Sequence, residues 1–405
     1  MIIRLADADT ARAVTARVAA AAAPRPFATE ITDFTTQLSA TILGDPRSRP
    51  LPEVVALGYW LRPASTRRLA EHFAALDSGA GLRVPVGLSL HIPPANVDPI
   101  FAYSWLLALL CGNASLIRLP RRRGAVADLL LDQIGQVLPQ HPAIAAMTCF
   151  LEYGHDDAIT AALSAHAGIR VIWGGDETIR HIRAVPLPPR SKEIVFADRK
   201  SFAAIAAPAF LALDDEVASA LMKRFALDVF LFDQMACSSV RLLAWCGSPA
   251  ETAAAAGRAV PLLRQAAAER GFAVEPATAL AKYAACQRLA MDVAVSHVDW
   301  GNGVLAVVEL APDGAPQWPQ GDHSGGGLLL QTRVAALTDL IPIVDLHVQT
   351  MSQYGFSRED MVEFIRHING RGLDRIVPLG SAMDFAPVWD GYDLLSEFTR
   401  TVTIG

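Results

Sequence analysis

Residues 168–183, GIRVIWGGDETIRHIR, decide the fold. GIRVIW is short and largely apolar and reads as a strand. Gly174 and Gly175 close it, and a helical pattern opens at Asp176. Free backbone N–H groups at such a helix start can hold an anion, and glycine lets a phosphate approach closely. An ordinary strand-to-helix turn explains the same dipeptide.

The same unit recurs on both sides. LRVPVGLSLHI (82–92) reads as extended, PPANVDP (93–99) as a loop, Ile100–Leu110 as a buried helix and ASLIRLP (114–120) as a strand. Ala125–Val137 is predicted helical, IAAMTCFLEYG (144–154) extended, 157–166 helical and EIVFAD (193–198) extended. Short apolar strands alternating with helices predict a parallel sheet covered on both faces. Up to about residue 80 the pattern is helical, with apolar spacing over 31–43 and 66–76.

A second block starts near residue 205. Helices are predicted over 214–227, 249–270 and 358–368, and strands over 303–309, 327–331 and 341–347. The tail EFTRTVTIG alternates polar and β-branched residues and reads as a terminal strand. At 405 residues, two or three domains are expected.

Composition narrows the function. The net charge of −6, from 35 basic and 41 acidic residues, argues against a nucleic-acid binder. The mean hydropathy of +0.29 makes a membrane span worth checking. The longest mainly apolar run, 100–111, falls well short of the ~20 residues a span needs. Asp7 and Asp9 stand where a secretory leader would be basic and then apolar, so no targeting segment is expected. Five widely spaced cysteines without a C-x-x-C fit a reducing, cytoplasmic setting. Ten scattered histidines show no metal-ligand spacing, and no metal is expected.

Familiar motifs are absent: there is no G-x-G-x-x-G and no G-x-S-x-G. GGG at 325–327 lacks a strand-to-helix context, and HSGGG (323–327) resembles an oxyanion loop only superficially. Cys111, Cys149, Cys246 and Cys286 lie in apolar surroundings and read as core filler. Cys237, in QMACSS, has small polar neighbours that suit an exposed thiol at a turn, where backbone donors can stabilise a thiolate. Core filler remains an equal reading on composition alone. Asn96 is either an Asx-turn residue or an amide donor for an oxyanion. Arg118 and the run Arg121–Arg123 follow a strand end; a solvated charged loop accounts for the run as well.

Five segments, HIPPANVDP, GNASLIRLP, VIWGGDETI, IVFADRKS and FDQMACSS, resemble in order five landmarks of the aldehyde dehydrogenase superfamily. More closely, the chain resembles the LuxC-type acyl-CoA reductases. ALGYWLRP (56–63), DRIVP (374–378) and WDGYDLL (389–395) are also similar to that family. The resemblance implies an aldehyde dehydrogenase-like α/β fold. A Rossmann-type cofactor domain with N-terminal helices would occupy 1–205, an α/β catalytic domain 206–385, and a small oligomerisation strand 386–405. It implies reduction of an acyl-CoA or other acyl thioester to an aldehyde, with Cys237 as nucleophile and Asn96 as oxyanion donor. Pro94, Arg118, Gly174 and Gly175 would meet the cofactor, and TVTIG would pair subunits into a homo-oligomer. The acyl group would arrive from CoA, a carrier or an acyl-transferring partner protein. The guanidinium groups at Arg118 and Arg121–Arg123 favour NADPH, because arginine donates bidentately to a 2′-phosphate.

Two departures from the superfamily pattern stand out. The Asn96 loop carries one extra residue before its second proline. Phe196 occupies the place of the glutamate in E-L-G-G-K-S, and no later glutamate matches the one that binds the nicotinamide ribose. Phe196 argues against an NAD-linked aldehyde dehydrogenase running oxidatively. The other rival is a non-reducing acyl-cysteine carrier.

Overall fold

The computed structural model describes residues 2–76, 81–311, 318 and 323–404. They form two compact units, 2–198 with 385–404, and 199–384. The first contains β1 (Ile2–Arg4), β2 (Gly81–Pro85), β3 (Leu88–Ile92), β4 (Ala114–Arg118), β5 (Thr148–Glu152), β6 (Ile169–Trp173) and β7 (Lys192–Phe196). Six of these make one parallel sheet in the order β1-β5-β4-β3-β6-β7. Chain order reverses between β3 and β6, the place where open α/β sheets leave a crevice for ligands at the strands' carboxyl ends.

The helix Ile100–Leu110 is buried on every side, as its apolar sequence requires. Polar N-caps fix other helix starts: Asp7 accepts from the Thr10 N–H at 2.7 Å, and Asp156 from the Ile159 N–H at 2.9 Å. The stretch 82–92 is two strands, not one. Pro85 ends β2, Gly87 turns with φ +113°, and β3 enters a different sheet. β2 pairs antiparallel with the C-terminal strand Thr399–Thr403 in a two-stranded ribbon.

The second unit holds β8 (Lys200–Ala206), β9 (Val240–Cys246), β10 (Val295–Asp299), β11 (Ala306–Leu310), β12 (Leu328–Val334), β13 (Val348–Tyr354) and β14 (Arg375–Pro378). Their order is β10-β11-β12-β9-β8-β13-β14, parallel except for the edge strand β10. Residues 337–343 form a 3-10 turn around Pro342, so the strand expected over 341–347 begins instead at Val348. Residues 142–146 are helical, which shortens the strand expected over 144–154 to Thr148–Glu152.

Candidate active site

Within the first unit, the residues singled out by sequence gather at one sheet edge. Pro94 and Asn96 follow β3, Arg118 ends β4, and Gly174 and Gly175 follow β6. β4, β3 and β6 are neighbours, with His91 paired to both Ile117 and Val171. All five residues therefore stand at the carboxyl ends flanking the switch point.

Asn96 is exposed in a bend. Its loop is anchored by Asp98, whose Oδ2 accepts the Ala127 N–H at 3.2 Å in the first turn of the helix Ala125–Val137. Gly124 permits this approach: a Cβ there would lie 2.2 Å from that carboxylate. Arg118 is half-buried. Its Nη2 donates to the Gly154 carbonyl at 3.2 Å, and its guanidinium lies 4.7 Å from the centre of the Tyr153 ring.

Gly175 is the N-cap of the helix Asp176–Arg183. Three carboxylates crowd this turn. Asp176 and Glu177 lie in the first turn, and a Cβ on Gly175 would meet Asp198 Oδ2 at 3.1 Å. Of the arginine run, Arg121 and Arg122 are exposed, whereas Arg123 is held by Glu152 and by Asp128. Phe196 is buried and stacked on Trp173. Glu193, a carboxylate three residues before Phe196, is occupied by Arg170 and Arg183 at 2.5 and 2.9 Å.

Cys237 is built by the second unit, where the amino ends of β8, β9, β12 and β13 converge. Just before it, Phe232, Asp233 and Gln234 all have positive φ, at 57°, 53° and 63°. Each left-handed non-glycine residue costs roughly 1–2 kcal/mol. Gln234 holds the turn. Its Nε2 donates to the Val240 and Leu328 carbonyls at 2.8 and 3.0 Å, and its Oε1 accepts the Leu328 N–H at 2.9 Å.

The triple glycine supports the same turn. Gly326 N–H donates to the Asp233 carbonyl at 2.8 Å, and a Cβ on Gly325 would sit 2.3 Å from that oxygen. His323 Nδ1 accepts from Gly325 N–H at 3.0 Å, and Nε2 donates to the Leu328 carbonyl at 2.9 Å. Burial pushes this imidazole down to about 3, so it is neutral. Lys282, pushed down by burial, donates to the Gly303, Val304 and Gly326 carbonyls at 2.6, 3.2 and 2.7 Å.

Cys237 is the one cysteine of five that is not buried. Burial pushes Cys246 up to about 12 and raises Cys111, Cys149 and Cys286 as well. The Cys237 carbonyl accepts the Ser201 hydroxyl at 2.8 Å, and its Sγ accepts the Gln349 side-chain amide at 3.2 Å. Ser201, Gln234, Gln349 and the glycine turn were not identified from sequence. The run of three glycines carries a usable signal beyond a dinucleotide motif or an oxyanion loop, since it permits consecutive positive φ.

Residues 65–250 match the acyl-CoA reductase (LuxC) family. Over these residues, a little under half of its length, the chain is similar to that family. The chain is 30% identical over 166 residues to a long-chain acyl-protein thioester reductase of Aliivibrio fischeri, covering 40% of this chain and 33% of that protein. It is 27% identical over 184 residues to one from Photorhabdus luminescens, covering 45% and 37%. The chain thus matches about a third of these relatives' length. The fold is that of the aldehyde dehydrogenases: a lactaldehyde dehydrogenase structure superposes with a TM-score of 0.61, 14% identity, and coverage of 98% of this chain and 90% of that one. Among the described residues, no acidic, histidine and cysteine cluster could hold a metal, and no helix is long and apolar enough to cross a membrane.

Proposed function

We propose that this chain reduces an acyl thioester, acyl-CoA or an acylated carrier, to an aldehyde through an acyl-Cys237 intermediate, using NADPH. The observation that carries this reading is the Cys237 turn. It is the one accessible thiol, mounted on a strained bracket with an amide against its sulfur, in a chain similar to acyl thioester reductases.

The dinucleotide would take the carboxyl-end crevice of the first unit's sheet, although Asp176, Glu177 and Asp198 crowd its glycine turn. The crevice lies at the topological switch point, with helix-start N–H groups beyond Gly175 and guanidinium groups at Arg118, Arg121 and Arg122. Pro94, Arg118, Gly174 and Gly175 would line it. When bound there, reduced nicotinamide supplies the hydride that turns the acyl thioester into an aldehyde.

The protein's own steps are simple. The Cys237 thiol gives its proton to solvent, and the thiolate adds to the thioester carbonyl carbon. The bond from that carbon to the donor sulfur breaks, and the departing thiolate takes up a proton. The Asn96 amide donates to the oxyanion of the tetrahedral intermediate, a contribution of roughly 3–4 kcal/mol in comparable sites. In this scheme the first unit serves the cofactor, the second, which begins at Arg199 rather than 206, the acyl chemistry, and 386–405 assembly into a homo-oligomer. The free cysteines suit the cytoplasm, and an acyl-transferring partner protein is a fitting donor.

A panel of acyl-CoAs with NADH and NADPH, followed by nicotinamide absorbance, tests the proposal. Cys237→Ala is expected to abolish both acyl labelling and reduction, while alanine at the other four cysteines lowers stability. Covalent acylation of Cys237→Ala would overturn the assignment. Acylation of the wild type without cofactor consumption would make it an acyl carrier instead.

A further inference from the structure

We propose that Gln349 is a further catalytic residue, whose side-chain amide holds and activates the Cys237 sulfur. The inference rests on reading Cys237 as the nucleophile and adds the group that prepares it. Gln349 Nε2 donates to Cys237 Sγ at 3.2 Å. A thiol is a weak acceptor and a thiolate a strong one, so this bond gains most when the sulfur is charged. Gln349 is fully buried, and a buried amide is costly unless its hydrogen bonds are made. Its orientation is fixed as well. Thr350 Oγ1 donates to Gln349 Oε1 at 3.2 Å, which turns the NH2 end toward the sulfur.

The backbone is shaped for this contact. Val348 pairs with Lys200 and Met351 with Phe202, so β13 carries one extra residue opposite β8, at Gln349–Thr350. Across β8 the register slips again: Ser201 pairs with Val240 but Phe202 with Leu242. Ser201 joins the two irregularities. Its hydroxyl donates to the Cys237 carbonyl and accepts the Thr350 N–H at 3.1 Å. Bulges interrupt ladder pairing and re-aim a side chain. Here the two meet at the nucleophile, and the residue re-aimed is Gln349.

The chemistry follows from the contact. As the Cys237 proton leaves for solvent, the N–H···S bond strengthens and raises the thiolate fraction. The same amide receives the sulfur again when the acyl group departs.

The test uses the full chain. Gln349→Met keeps length and loses the donor; Gln349→Glu keeps shape and sets a carboxylate against the sulfur. The readout is the rate of Cys237 alkylation by iodoacetamide, assigned by mass spectrometry of the Cys237 peptide. At neutral pH, Gln349→Met is expected to react about tenfold more slowly, equivalent to one unit in thiol ionisation, and Gln349→Glu more slowly still. At about pH 10, above the ordinary thiol range, the rates should converge. A merely structural disturbance would instead change access to the sulfur at both pH values. Should Gln349→Met fail to fold, Gln349→Glu and Thr350→Val carry the same comparison. Unchanged neutral-pH rates in folded variants would overturn the proposal. If alkylation slows as expected but acyl-CoA leaves no label on Cys237, the nucleophile reading fails and the Gln349 contact stands.

Discussion

Phe196 lies flat on Trp173, with ring centroids 3.5 Å apart and planes 11° from parallel, at paired positions of β7 and β6. Tyr392 meets Phe196 edge-on at 5.8 Å. The ring is thus committed to the first unit's core, and it can neither take a proton nor orient water. An acyl group on Cys237 is expected to survive hydrolysis until it is reduced. With enzyme acylated by labelled acyl-CoA and freed of substrate, acid release without cofactor should be much slower than aldehyde formation with it. Comparable rates, abolished by Asp198→Asn, would reveal a general base and refute this. Phe196→Ala should also cost about 3–5 kcal/mol in chemical denaturation.

The arginine run divides by partner. Arg121 and Arg122 are exposed, whereas Arg123 is fastened to Glu152 and Asp128. Alanine at Arg121 and Arg122 together should lower the NADPH-to-NADH ratio of kcat/KM several-fold. Arg123→Ala should leave the ratio and reduce stability, read as a lower Tm. A ratio unmoved by the double variant would mark those arginines as solvated surface.

His91 gives a pH signature. It is fully buried on β3, with Nδ1 2.7 Å from Ser104 Oγ and Nε2 2.9 Å from Ser89 Oγ. Burial pushes its pKa down to about 3. Between an unfolded value near 6.5 and that folded value, the unfolded chain takes a proton that the native one refuses. The stabilisation from His91 is therefore complete above roughly pH 6.5 and shrinks as pH falls, by at most about 1.4 kcal/mol per unit. Urea melts of wild type and His91→Gln, compared between pH 7 and 5, should converge at the acid end. Parallel curves would contradict the assignment.

Much of this architecture was legible from periodicity and caps. The helices Ile100–Leu110, Ala125–Val137, Asp176–Arg183 and Arg358–Ile368 run over the residues their patterns indicated. What escaped has local reasons. The helix Pro276–Asp292 exposes Leu280, Tyr283 and Met291, so its apolar residues mark no single buried face. IPIVDLH alternates like a strand, yet it opens within a 3-10 turn that contains Pro342. β1 is only three residues long. At the candidate site, the accessibility of Cys237 agrees with its small polar neighbours, which on composition left core filler an equal reading, and the run of glycines carries the signal of the turn beside it. Gln349 was not legible, because its distance from Cys237 in sequence is closed only by sheet order and a bulge.

The C-terminal strand needs a finer test than truncation from Phe398. Phe398 and Thr399 are buried, and the Phe398 carbonyl accepts the Asn113 side-chain amide at 2.9 Å, so removing them would damage the first unit itself. Leu82 and Val402 face each other across the ribbon, 56% and 39% exposed, and are where the proposed subunit contact would form. Leu82→Lys with Val402→Lys is expected to shift sedimentation toward monomer while circular dichroism is kept. An unchanged profile would place any interface elsewhere.

The three left-handed residues before Cys237 have a consequence for engineering. The chain has 28 glycines, yet none stands at 232–234. Glycine there would relieve the native backbone, but it would also widen the range of conformations open to the turn. Side-chain-bearing residues forced into that shape behave as a clamp under tension. They tolerate few alternatives, so the sulfur is delivered to nearly the same point each time. Placement errors near an ångström can cost a hundredfold in rate. Attempts to make this protein hardier by relaxing Asp233 would therefore trade away aim for robustness, and thermostabilising substitutions are better sought far from this bracket.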